Sequence, residues 1–217
     1  MPAVFLDDIE IRNNISAAGL AVTSLGSTGP EERQRAYESW LFPLRDDDKW
    51  KRSMADAMYS CALNALACLR SSGVEAPEFF EPYHSHVGAA PSWLASIAQR
   101  VGAYVDLSTA KAVANAKEIR WGSVLCVEGP YHAIVVCERD DDCLRPPDAF
   151  AVFTTSEGGM PEVSASGEHG MRIHSRRMAL RYQGGRIQTG TLSIDGSVTW
   201  GRLAIWALDP LYLVTRE

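Results

Sequence analysis

The stretch Ile119-Arg-Trp-Gly-Ser-Val-Leu-Cys-Val-Glu-Gly-Pro-Tyr-His-Ala-Ile-Val-Val136 is where the chain changes period. Upstream of it, apolar residues recur at helical spacing. Downstream, they fall in short runs bounded by turn residues, the pattern of strands. Gly122 and Gly129-Pro130 punctuate the first two runs, Val124–Glu128 and His132–Glu138. Further strands are expected at Phe150–Thr155, Met171–Ser175, Met178–Tyr182, Ile187–Leu192 and Leu203–Leu208.

Ahead of this boundary, Ser53 to Arg70 reads as a helix that stops at Gly73. Leu63, Leu66, Ala67 and Arg70 lie on one arc, and Cys61, Ala65, Cys68 and Leu69 on the next. Pro91 to Val101 reads as a second helix, with Pro91 at its start and Gly102 at its end. Ser108 caps a short alanine-rich segment to about Lys117. Helices first and strands after predict an α+β domain with an antiparallel sheet, over residues 51–217. Residues 1–50 read as an N-terminal extension packing on that core: a turn cluster at Ser24–Pro30, a short helix at Glu31–Trp40 and a charged stretch at Arg45–Lys49.

At 217 residues, with 46% hydrophobic and 22% charged residues, the chain suffices for one domain with a sizeable core. A net charge of −6 without a basic block argues against nucleic acid as a partner. The start, Met1 to Asp8, lacks a basic region and a long apolar core, so neither a secretory signal nor a membrane span is expected. The five cysteines cannot all pair internally, and no CxxC occurs among them. His84-Ser-His86, Glu168-His169 and His174 read as loop or polar-stretch residues rather than metal ligands. No metal and no cofactor are expected.

Two residues stand apart. Cys61 opens the apolar run Cys61-Ala-Leu-Asn-Ala-Leu-Ala-Cys-Leu-Arg70, and His132 opens the strand His132-Ala-Ile-Val-Val-Cys137. A thiol on a helix and an imidazole at a strand mouth are two parts of a nucleophile and base site. Cys68, Cys126 and Cys137 read as small core residues. With Arg139 to Asp148 as the turn region, Glu138 falls opposite about Ala149 and His132 opposite about Thr155. The period of two then puts Glu157 on the face of His132, one step further on. A carboxylate there would orient the imidazole toward the thiol. A register shifted by one would substitute Ser156, and Thr155 remains a further alternative.

The order Cys-bearing helix, second helix, Ile119–Cys126 strand and Gly129-Pro-Tyr-His-Ala-Ile-Val-Val136 resembles the NlpC/P60 and CHAP branches of the papain-like cysteine peptidases and amidases, over about residues 53–160. The resemblance implies a papain-like α+β fold, N-terminal helices carrying the cysteine ahead of an antiparallel β-sheet. It implies Cys61 as nucleophile, His132 as base and Glu157 as the orienting group, with a thioester intermediate and a bacterial cell-wall peptide as substrate. Such a chain would reach that substrate by a non-Sec route, through a secretion apparatus or phage lysis, or act inside the cell, and a cognate inhibitor would be a natural partner. The family's Asp-Cys-Ser/Gly-Phe box is here Tyr59-Ser-Cys-Ala-Leu-Asn64, and Ser123 stands where an aspartate often follows the glycine. Ser53-Met-Ala-Asp56 resembles a capping box that would leave Cys61 two turns inside its helix, whereas Ser60 as cap would put Cys61 at the first helical position. Two other classes remain: an inactive binding or structural module, and a thiol acyltransferase.

Overall fold

The computed structural model describes residues 8–24, 61, 64, 65, 68, 69, 95, 98–109, 116, 119–128, 132–140, 145–163 and 169–213; the side chains of 21–24, 158–174, 212 and 213 are not among those described. Among the described residues seven strands follow in order: β1 (Tyr104–Asp106), β2 (Val124–Val127), β3 (His132–Arg139), β4 (Ala151–Val163), β5 (His169–Gln183), β6 (Arg186–Leu192) and β7 (Val198–Leu208). Every pairing is antiparallel. Strand β7 pairs with β6 along Val198–Leu203 and with β2 along Ala204–Leu208. Six strands, β2 to β7, therefore close into a barrel, and β1 pairs with the C-terminal end of β7.

This closure overturns the expected papain-like α+β architecture of N-terminal helices followed by a sheet. The reason lies in strand length and β7. Strands β4 and β5 are 13 and 15 residues long and pair along most of their length, and strands that long carry enough twist to curl a sheet on itself. Bulges between Cys126 and Val127 and between Thr189 and Gly190 let β7 meet both neighbours. Gly190 suits this closure, because a Cβ there would run into the Val198 and Trp200 side chains of β7.

Expected strand boundaries hold best where both faces of the sheet are covered. Strands β2 and β3 are buried on both sides, so they read as continuous apolar runs. Met171–Ser175 and Met178–Tyr182 are one strand, β5, and β4 runs on to Val163. The barrel interior is filled by Leu125, Val127, Ile134, Val136, Phe153 and Leu180, together with smaller apolar residues.

The helix α1 (Asp8–Ser24) lies within the stretch read from sequence only as an extension, and it is the one continuous α-helix among the described residues. It packs against β3, β4 and β5. Arg12, itself buried, donates to both carboxylate oxygens of Asp209 at 2.9 and 3.0 Å and to the Trp121 carbonyl at 3.1 Å. Ser16 donates to the Cys137 carbonyl. Gly19 lies so close to β3 that a Cβ would sit 2.6 Å from Cys137 Sγ. Cys61, Asn64, Ala65, Cys68 and Leu69 are helical, as are Ala95 and Ala98 to Arg100. The expected capping residues Ser53 and Ser60, the Glu31–Trp40 helix, and His84 and His86 lie outside the described residues. No described helix is long and apolar enough to cross a membrane.

Candidate cysteine, histidine and glutamate site

His132 is the first residue of β3, so its ring stands at an end of the barrel, 17% exposed. Its Nε2 lies 3.2 Å from Glu157 Oε2 on β4. The Cys61 side chain is the other hydrogen-bond partner of the imidazole. The three residues nominated from sequence are thus in mutual contact through the imidazole. Cys61 is partly exposed, whereas Cys68, Cys126 and Cys137 are buried.

The register that joins His132 to Glu157 is not the one expected from the turn. Val136, not His132, faces Thr155, a displacement of four residues. An even displacement preserves the face, so Glu157 keeps its side of the sheet. A bulge between Val136 and Glu138 decides this outcome. Continued without it, the pairing of Glu138 with Thr154 would set Glu157 opposite Val135, on the face away from His132. With the bulge, Ser156 takes that place and accepts a hydrogen bond from Asn64 Nδ2 at 3.3 Å. Thr155 shares the face of Glu157, and its hydroxyl reaches both Glu157 Oε1 at 3.2 Å and the Arg176 carbonyl at 3.1 Å. Ser156 is therefore no substitute for Glu157, and Thr155 supports the carboxylate.

The electrostatics follow from this geometry. Burial alone would lower the His132 pKa, but the hydrogen bonds to Cys61 and Glu157, and the charges of the same two groups, outweigh it and lift the value to about 9. Burial would raise the Glu157 carboxyl; the His132 hydrogen bond and charge, the Arg176 charge and the Thr155 hydroxyl win, and it is held below its ordinary value. The neighbours of His132 thus favour its protonated form, and a protonated imidazole beside a sulfur favours the thiolate. The other thiols differ. Burial, followed by the charge of Cys61, pushes Cys126 up to about 12. Burial, followed by Glu138, does the same to Cys137, and burial, with a smaller contribution from Cys137, raises Cys68. A thiol held protonated is a poor nucleophile.

Comparison with known proteins finds no matching family model, no matching curated protein and no matching solved structure.

Sequence reasoning does not reach Arg176, Arg202 or Asn64. Arg176 pairs with Thr155 across β4 and β5. Its position was hidden because Ser175-Arg176-Arg177 looks like a break between two strands. No group of three or more His, Cys, Asp or Glu among the described residues could hold a metal ion. The side chains of His169 and His174 lie outside the described residues.

Proposed function

We propose that this protein is a thiol hydrolase that cleaves a peptide or amide bond through a thioester. The observation that carries the reading is a single imidazole that has both a partly exposed cysteine and a buried carboxylate as side-chain hydrogen-bond partners. In the first step the Cys61 sulfur attacks the substrate carbonyl carbon and forms the S–C bond. The His132 proton passes to the nitrogen of the breaking C–N bond, and the amine leaves. In the second step neutral His132 takes a proton from water, the oxygen attacks the thioester carbon, and the acid departs as the S–C bond breaks. Glu157 holds the ring in line and offsets the imidazolium charge in both steps. The backbone N–H of Cys61 would hold the oxyanion.

An activated ester tests the two-step chemistry without knowledge of the substrate. With p-nitrophenyl acetate, a burst of nitrophenol and an acetyl adduct mapped to Cys61 by mass spectrometry are expected, both lost in Cys61→Ser. An adduct on another residue, or a burst that persists in Cys61→Ser, would contradict the reading. Cell-wall peptides, the class implied by the resemblance, are the substrates to offer next. Product analysis in the presence of added amines separates hydrolysis from acyl transfer.

A further inference from the structure

A cavity of about 210 Å³ opens at the mouth of the barrel, with Glu157 of β4, Arg176 of β5, Thr191 of β6, and Thr199 and Arg202 of β7 among its walls. The volume far exceeds the ~10–15 Å³ that one ordered water needs. Barrel mouths are common ligand sites, because strands bring inward-facing side chains together from several walls. Arg176 lies opposite Thr155, and Arg202 opposite Thr189 on the far side of β6, so the two arginines come from separate strands to one space.

The charges in this space do not balance. Two arginines and one carboxylate line it, and that carboxylate already has His132 and Thr155 as hydrogen-bond partners besides the nearby charge of Arg176. The Thr189 hydroxyl donates to the Arg202 carbonyl at 3.2 Å, while Thr191 and Thr199 bring two more hydroxyls to the walls. Planar guanidinium forks and hydroxyl donors around a cavity form a receptor for oxyanions. We propose that the barrel mouth binds a small oxyanion, a phosphate or carboxylate group, between Arg176 and Arg202. The site shares Glu157 with the cysteine and histidine pair, yet its binding does not depend on Cys61 being a nucleophile.

Calorimetric titration of the full chain with inorganic phosphate and with succinate, at pH 7 against sodium chloride of matched ionic strength, tests this. Saturable binding of at least one probe is expected, weakened tenfold or more by Arg176→Gln and by Arg202→Gln and retained in Cys61→Ser. The tighter probe identifies the group. Arg202 is exposed at the rim, so its variant should fold, and it decides alone if Arg176→Gln does not. No binding of either probe above that of chloride, or binding that Arg202→Gln leaves unchanged, would overturn the proposal. Binding lost in Cys61→Ser would also overturn it, by moving the anion to the thiol.

Discussion

His132 carries two kinds of consequence, one for stability and one for chemistry. Its folded pKa of about 9 lies above the ordinary 6.5. The stabilisation it supplies is therefore full below about pH 6.5 and lost as pH rises through about 9. Glu157 runs the other way: held below 4.5, it contributes fully above that pH, and the contribution is lost as pH falls through its lower folded value. In Cys61→Ser and in Glu157→Gln, the His132 ring should titrate at lower pH than in the wild type, as read from its imidazole NMR signals. An unchanged titration in both variants would mean that the contacts carry no charge. If the site is catalytic, His132→Ala should cost about 10²–10⁴-fold in turnover, and Glu157→Gln less. Thr155→Val removes a hydroxyl worth about 1 kcal/mol, roughly fivefold in rate, and should move the acidic limb of the pH profile, with Thr155→Ser restoring it. A rate loss with no change in pH profile would leave Thr155 a packing residue only.

The helix α1 and the hairpin of β3 and β4 show what local pattern does and does not reveal. The buried face of α1 holds Ile11, Arg12, Ile15, Ser16 and Gly19, so its apolar stripe is interrupted by an arginine and a serine whose partners are distant in sequence. Periodicity therefore could not pick it out. The β3 run was legible because both of its faces are covered. Its pairing with β4 was legible only in parity, since the bulge that sets the face involves the backbone around Cys137 and has no residue signature. Gly19→Ala is the sharpest test of the packing between α1 and the barrel. Alanine is the better helix former by about 1 kcal/mol, so a neutral site would be stabilised. Contact with Cys137 Sγ should instead destabilise the protein by about 1–3 kcal/mol in urea unfolding, and Cys137→Ala should recover part of that loss. Stabilisation by Gly19→Ala would show that α1 packs elsewhere.

Barrel closure is the feature least visible in the sequence. Each hairpin follows from local turns, but whether the last strand meets the first depends on the accumulated twist and on β7 switching partner from β6 to β2. The candidate site was more accessible than the fold, because a thiol, an imidazole and a carboxylate keep their chemistry under either architecture. Arg12 joins α1 to Asp209 at the far end of the chain, 197 residues away. Arg12→Leu should therefore lower global stability by about 1.5–3 kcal/mol, the worth of a charged hydrogen bond. Fluorescence and far-ultraviolet circular dichroism should still report one shared transition. Separate transitions would mean that α1 and the barrel are independent units.

The rate of Cys61 alkylation by iodoacetamide as a function of pH, read by peptide mass mapping in the wild type and in His132→Ala, most directly tests a thiol activated by this imidazole. Near neutral pH Cys61 should be labelled well ahead of the buried Cys68, Cys126 and Cys137, and His132→Ala should slow it by tenfold or more while leaving its rate above pH 9 little changed. Cys61 protected until the protein unfolds, or labelled equally fast without His132, would contradict it.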